Sequence, residues 1–294
     1  MPKVLIFGGT GLLGRPVVYS LLQRQYDIRL FTSSKAISEK VFGNKVEYAE
    51  GQVSDIDAIK KAIDGCDNIY ISLKGGPTAA DYVQIELQGS KNIYEAAKNS
   101  GIKKIIQQSE ARADEKHTNF VISRVKYEAQ KILEDSGHNF IVLKPTWFCE
   151  SLPLTIQANK AILIGSGRQS FFFLAAADYA NIVGQCIETD KADRKALTIF
   201  GPEPMPIPEA MRRFLEIAHP DVAIDRLPVW MARAVSIFTV DKSLKMAIKM
   251  MAFYDKYGDD EVTVGPEEAD KLFGRCPTTV EAWATVYRKV IKGA

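Results

Sequence analysis

Lys3-Val4-Leu5-Ile6-Phe7-Gly8-Gly9-Thr10-Gly11-Leu12-Leu13-Gly14-Arg15-Pro16-Val17-Val18 decides how the rest of the chain is read. Lys3 to Phe7 is an apolar run too short for a helix, so it reads as a buried strand. It enters a glycine turn directly, and Val17, Val18, Leu21 and Leu22 then follow at helical spacing. Strand, glycine turn and helix form the context that a dinucleotide fingerprint requires. Gly8 lets the chain turn sharply, Gly11 presents no Cβ to a pyrophosphate, and Gly14 lets the helix lie close to the strand. N–H groups at the helix start, with the helix dipole behind them, face the phosphates. Thr10, Leu12 and Leu13 belong to the same cradle. Pro16 costs little so early in a helix, where its missing N–H would have no intrahelical partner. A glycine turn alone also ends strands for structural reasons; here position, flanking elements and spacing agree.

The chain then alternates. Asp27 to Thr32 reads as a second strand, followed by Ser33-Ser34-Lys35. A free ribose 2′-hydroxyl would favour an acidic residue here, about twenty residues past the glycines. Hydroxyls at Thr32 and Ser33 and the Lys35 ammonium suit a 2′-phosphate better, so NADP is expected over NAD; a merely solvated loop is the plainer alternative. Val46 to Gly51 is a third strand. The turn after it carries Gln52 and Val53, and the Gln52 amide can hydrogen-bond a base edge. Asn68 to Leu73 is a fourth strand, closed by Lys74-Gly75-Gly76-Pro77. Glycines there permit close approach to a ribose-phosphate, and Lys74 either reaches a phosphate or is simply solvated. A long helix is expected from about Ala80 to Ser100, with Val83, Leu87, Ile93, Ala96 and Ala97 inward and Gly101 as its stop. Lys104 to Ser109 is a fifth strand. Alternation at this pitch implies a parallel sheet with helices on both faces.

The glycine spacing, Gly-x-x-Gly-x-x-Gly, resembles the extended and atypical branches of the short-chain dehydrogenase/reductase superfamily. Further on, Ile122-Ser-Arg-Val-Lys126-Tyr127 opens a helix that ends at Ser136-Gly137. Phe140 to Phe148 then forms a strand with a Lys144-Pro145-x-x-Phe148 turn. With Gly201-Pro202-Glu203 and the apolar stretch ending at Asp178, this order resembles the NmrA-like atypical members over roughly residues 1–210. The resemblance implies a Rossmann fold in which Lys126 holds the nicotinamide ribose, with Leu73, Gly75, Ser109, Pro145 and Phe148 around the cofactor. In catalytic members of the wider superfamily a tyrosine stands four residues before the lysine. Here that position is Ile122, which transfers no proton, and a Ser-Ser pair common at the end of strand five appears as Gln108-Ser109. Tyr127, one residue from the lysine, does not share its helix face. His117, in the loop before this helix, is the remaining candidate proton donor, although loop histidines are usually solvated. His138 and His219 lie in turns without an evident partner.

The chain has 294 residues, ample for one large or two modest domains. Thirty-eight basic against thirty-six acidic residues leave a net charge of +2, which gives no general attraction to nucleic acid. No signal peptide or membrane span is legible. Cys66, Cys149, Cys186 and Cys276 form no CxxC pair and read as buried thiols in a reducing compartment, which implies the cytoplasm. Three dispersed histidines make a metal site unexpected.

Beyond Phe148, Ile162 to Arg168 reads as a hairpin or turn and Phe171 to Leu174 as a buried strand. Asp178 is read as a helix N-cap, Leu197 to Phe200 as a last sheet strand, and Thr278 or Thr279 as the N-cap of a closing helix. Leu227 to Tyr257, with Trp230, Met231, Phe238, Met246, Met250, Met251, Phe253 and Tyr254, is mostly core or an adaptable apolar lid. A membrane surface is less favoured, because no clean basic face is visible. The expected fold is a doubly wound α/β domain over 1–150, rejoined by strands near 171–174 and 197–200. A smaller, mostly helical substrate lobe over 151–294 interleaves with it, and ligands are expected at the carboxyl ends of the strands between the two. The expected function is NADP(H)-dependent reduction of an apolar, quinone-like or conjugated small molecule. A non-catalytic NADP-binding redox sensor acting through a protein partner is the alternative, a sugar-nucleotide epimerase or dehydratase is third, and a homodimer is left open.

Overall fold

A computed structural model describes residues 2–293. The first compact unit comprises residues up to Lys144 together with Tyr179–Thr198. Its chain runs β1 (Lys3–Phe7), α1 (Gly14–Gln23), β2 (Asp27–Thr32), α2 (Lys35–Phe42), β3 (Glu47–Glu50), α3 (Ile56–Ile63) and β4 (Asn68–Ile71). A helical stretch over 79–97 is α-helical at Ala79–Asp81 (α4) and Gly89–Ala97 (α5), with a π-helical segment at Tyr82–Gln88 between them. β5 (Lys104–Gln108), α6 (Val121–Asp135) and β6 (Phe140–Pro145) follow.

Val4 to Phe7 and Ile69 to Ile71 are buried, as strands covered by helices on both faces must be. Leu5, Phe7, Ile59, Ile63, Ile93, Tyr94 and Leu133 meet in one apolar cluster. Parallel pairing places β1 between β2 and β4, with β3 beyond β2 and β5 and β6 beyond β4. The chain leaves β1 to one side and later returns on the other. A crevice therefore opens at the carboxyl ends of β1 and β4, the switch point of such a sheet.

The π-helical segment changes one expectation. Val83 was expected inward; instead Tyr82 and Glu86 are buried and Val83 is only half-buried. A wider turn rotates the residues beyond it, and such turns recur at functional sites.

The second unit comprises Pro145–Asp178 and the chain from Ile199 onward. It holds β7 (Trp147–Phe148), β8 (Ile156–Gln157), β9 (Lys160–Ile164) and β10 (Ser170–Leu174). α7 (Ala176–Glu188) and β11 (Lys195–Ile199) then bring the chain back to the seven-stranded sheet, where β11 is the edge beside β6. β12 (Pro204–Pro206), α8 (Ile207–Ala218), β13 (Ala223–Leu227), α9 (Val229–Phe238), α10 (Lys242–Tyr254), α11 (Glu267–Phe273) and α12 (Val280–Gly293) complete the fold. The strand expected at 171–174 does not rejoin the main sheet: β10 pairs with β7 and β12 in a small sheet of its own. Pro145 has no N–H to extend β6, and the Thr146 hydroxyl, which donates to the Phe172 carbonyl at 2.8 Å, turns the chain toward β10. The residues read as a hairpin or turn at 162–168 contain the end of β9, which pairs antiparallel with β8 and parallel with β13.

Asp178 is not a cap. It lies in the first turn of α7, and its carboxylate accepts the Thr278 N–H and hydroxyl, both at 2.9 Å. Thr279 is the residue whose hydroxyl accepts a first-turn N–H of α12, from Ala282. All four cysteines are buried and unbridged. Burial pushes each thiol up, Cys276 to about 12.

Glu150 supplies a pH test of this unit. Its buried carboxylate accepts the Ala176 N–H at 3.1 Å and the Trp283 Nε1–H at 2.9 Å. Burial nevertheless outweighs these bonds and pushes its pKa up, with Asp178 adding to the rise. A carboxyl group raised in the folded state binds its proton more tightly there than when unfolded. Its stabilisation is full at low pH and is lost as pH rises through the raised value. The unfolding temperature of Glu150→Gln should therefore decline less than that of wild type as pH rises above the ordinary carboxylate range. Parallel curves for the two proteins would reject this assignment.

Candidate functional site

The crevice at the switch point contains a cavity of about 330 Å³. Gly8, Thr10 and Gly11 line it from the first turn, Thr32 and Ser33 from the end of β2, and Gly51, Gln52 and Val53 from the end of β3. Ser72, Leu73 and Lys74 line it from the end of β4. Gly8 adopts a φ of +81°, and a Cβ there would collide with the Ser72 carbonyl. A Cβ on Gly14 would collide with the Gly8 carbonyl, which is why α1 starts so close beneath β1. Gly11 differs from both. A Cβ there meets only the Gly8 carbonyl oxygen, at 3.2 Å, and otherwise projects into open space. That space is a cradle of the kind a phosphate needs, beside a helix N-terminus.

Of the residues expected to hold a cofactor, Gly8, Thr10, Gly11, Ser33, Gln52, Val53, Leu73 and Lys74 are brought together here. Gly14 lies beneath the turn, and Leu12 and Leu13 stand outside the cavity with Leu12 largely exposed. Lys35 is not in the wall. Ser34 caps α2 ahead of it, the Lys35 backbone N–H donates to Glu50 at 3.2 Å, and its ammonium lies 3.5 Å from Glu39.

Lys126, Gly75 and Ser109 belong to the neighbouring part of the sheet edge. A second, smaller cavity is lined by Leu73, Glu86, Ser90, Gln107, Gln108 and Lys126 among others, and Leu73 also lines the larger one. Lys126 Nζ lies 2.8 Å from Glu86 Oε2, with both side chains largely buried. Glu86 Oε1 accepts the Gly75 N–H at 2.7 Å. One carboxylate thus ties α6 to the loop leaving β4. The Tyr82 ring packs against Gly75, and burial pushes its phenol up to about 12, helped by Glu86 and Glu110. Gln108 Oε1 accepts the Tyr70 and Ser72 hydroxyls at 3.1 and 2.9 Å, which fixes the orientation of its amide. Ser109 donates its N–H to the Leu143 carbonyl at 2.7 Å, and its hydroxyl is buried. Ile122 is buried on α6, so no phenol stands four residues before Lys126. Pro145 ends β6, and Phe148 pairs with Leu174 in β7; neither lines the larger cavity.

His117 is not the solvated loop residue that its position suggested. It is buried at the end of a short 3₁₀ turn, with Nδ1 2.7 Å from Asp114 Oδ1. The same loop, which leaves β5 at the carboxyl edge of the sheet, receives Lys144 Nζ on the Ala113 carbonyl at 3.0 Å. Burial lowers the Lys144 pKa, against the opposing pull of Asp114, Glu110 and Glu134. His138 also has a partner, its Nε2 lying 2.8 Å from the Tyr94 carbonyl.

Sequence reasoning missed Glu86 and Asp114, and noted Gln108 only as a departure from the Ser-Ser pair. Asp114 stands three residues before His117, a spacing that suits a turn and was a readable signal. Glu86 stands seven residues before the inward Ile93, a helical spacing that was a readable signal.

Among the described residues, no helix is long and apolar enough to cross a membrane, and no cluster of His, Cys, Asp or Glu is placed to hold a metal. The Photosystem II assembly factor Ycf39 of Cyanophora paradoxa is 24% identical to this chain, over 77% of this chain and 72% of that protein. The NAD(P)H azoreductase of Xenophilus azovorans is 23% identical over 68% of each. The crystal structure of the Escherichia coli NADPH-dependent quinone oxidoreductase QOR2 complexed with NADPH has the same fold, with a TM-score of 0.75 and 20% identity over 97% of this chain and 99% of that one. A family model described as NAD(P)H-binding matches residues 8–169, which is more than half of the sequence and includes both cavities' main walls. The chain therefore belongs to the NAD(P)H-binding family.

Proposed function

We propose that this protein is an NADPH-dependent reductase of the NmrA-like type, acting on an apolar acceptor of quinone-like or conjugated character. The observation that carries the reading is the open space over Gly11, at the head of a cavity whose far walls are Ser33 on one side and Gln52 and Val53 on another. On this reading the first turn and α1 hold the pyrophosphate, Gln52 and Val53 the base, and Ser33 with Lys35 the 2′-phosphate. Lys74 and Leu73 flank the ribose nearer the reacting end. Residues 1–150 carry the cofactor and 151–294 the acceptor lobe. A bound nicotinamide supplies a hydride. The proton that accompanies it cannot come from Ile122, so an acceptor whose own oxygens draw protons from water or from a nearby side chain fits best. His117, oriented by Asp114, is the side chain of this chain suited to that task. The names of the azoreductase and the quinone oxidoreductase among the similar proteins support an acceptor of this class.

Calorimetric titration with NADPH and NADH tests the pocket. NADPH should bind more tightly, and Lys35→Ala or Ser33→Ala should each erase about tenfold of that preference, the worth of one hydrogen bond to a charged group. Lys35 must then leave Glu39, which an exposed pair permits at little cost. Equal affinity for the two nucleotides in wild type would refute the 2′-phosphate assignment. Steady NADPH oxidation with a panel of quinones and enones then tests the reductase. Tight NADPH binding without turnover would instead favour a redox-sensing regulator working through a protein partner, a reading that the buried Ile122 and the assembly-factor relative support.

A further inference from the structure

α9 is built the wrong way round for a helix that folds only onto its own chain. A soluble helix turns its apolar stripe inward, yet in α9 the buried residue is Ala232. Trp230, Ala234, Ile237 and Phe238 recur at the i, i+4, i+7 and i+8 spacing that defines one face. That face is outward: Trp230 is 71% exposed, Ile237 75% and Phe238 88%. Met231, Val235 and Val240 extend the exposed apolar surface to either side and beyond the helix end. Apolar area left in water at this density signals a surface that is covered in use.

The charges beside it indicate by what. From Arg226 to Val240 the sequence has no Asp or Glu, and it carries Arg226 and Arg233. On α10, which packs against α9, Lys242, Lys245 and Lys249 fall at i, i+3 and i+7 and so share one face. This is a basic face that the linear sequence obscured. Across 226–254 five cationic residues stand against one acidic residue, Asp241, whose carboxylate caps α10 by accepting the Ser243 and Leu244 N–H groups. An exposed apolar stripe with a tryptophan, bordered by cations, is complementary to the headgroup and upper acyl region of an anionic bilayer. A second copy of this chain fits poorly. In a twofold interface the same patch meets itself, which would bring the arginine and lysine side chains of the two copies toward one another.

We propose that α9 seats this protein on anionic lipid surfaces, with Trp230, Ile237 and Phe238 entering the interface and Arg233 and the α10 lysines engaging the headgroups. The test is flotation of the full chain with vesicles of phosphatidylcholine alone or phosphatidylcholine mixed with phosphatidylglycerol. Wild type should float with the mixed vesicles and not with the neutral ones, less so at high salt, and its tryptophan emission should shift to the blue. The Trp230→Glu/Phe238→Glu double variant should lose flotation while its NADPH affinity, a measure of intact folding, stays unchanged. Each of Lys242→Gln, Lys245→Gln and Lys249→Gln should weaken partitioning roughly fivefold. Failure of wild type to float with the mixed vesicles would overturn the proposal, as would flotation indifferent to these substitutions. So would a wild-type dimer in light scattering that Phe238→Glu separates, since the occupant would then be a second copy.

Discussion

Gly11→Val is expected to weaken NADPH binding about a hundredfold while leaving thermal stability almost untouched. Three glycines shape the first turn, and the structure separates their duties. At Gly8 and Gly14 a side chain collides with backbone of the protein itself, at the Ser72 and Gly8 carbonyls. Gly8 also holds a φ of +81°, strained for any L side chain. Gly8→Val and Gly14→Val should therefore cost about 3 kcal/mol or more of stability, and any loss of binding would follow from damage to the fold. At Gly11 the added Cβ has one neighbour, 3.2 Å away, and the rest of the valine occupies the cavity. Its cost to the fold should stay below about 1 kcal/mol. A ligand whose phosphates pass over this residue must give up its seat, and overpacking a formed site by an isopropyl group costs up to about 3 kcal/mol, or about a hundredfold in affinity. Calorimetry and thermal unfolding on the same preparation decide it. A stable Gly11→Val protein that binds NADPH as wild type does would remove the phosphate from this turn, and wild type that binds neither NADPH nor NADH would remove the reductase and regulator readings together.

The parts of this protein that local chemistry dictates were legible in its sequence. β1 is an unbroken run of Val, Leu, Ile and Phe after Lys3, β2 and β4 are short and rich in Ile, Leu, Phe and Tyr, and the glycine spacing marks the turn between β1 and α1. That the sheet is parallel with helices on both faces follows from strand–helix alternation, because parallel strands need crossover connections. What was not legible depends on long-range geometry. Seven residues of the helix over 79–97 widen into a π turn, which no residue type announces. β10 leaves the main sheet because Thr146 bonds a carbonyl twenty-six residues away. Lys35 was read from its charge, and the structure gives that charge a nearer partner in Glu39. In α9 the apolar periodicity was present, but periodicity names a face and not the direction in which it points.

The ion pair between Lys126 and Glu86 allows structural and functional roles to be separated by experiment. Lys126→Met should destabilise the protein by about 3–5 kcal/mol, because it strands the Glu86 carboxylate in a buried site where the Gly75 N–H does not neutralise its charge. Removing the carboxylate as well should restore most of that loss. In Glu86→Gln/Lys126→Met the amide oxygen still accepts the Gly75 N–H, and the methionine fills the space of the lysine stem. Turnover should not return. If Lys126 positions the nicotinamide ribose, its ammonium is absent from the double variant too, and a misplaced ring should leave activity about a hundredfold down. Unfolding temperature and NADPH-dependent quinone reduction, measured together on wild type and the two variants, give the answer. Stability that recovers while turnover stays low assigns Lys126 to the cofactor and Glu86 to holding it. Recovery of both would make the pair a strut between α6 and the loop after β4, and the ribose contact would have to be sought elsewhere on the sheet edge.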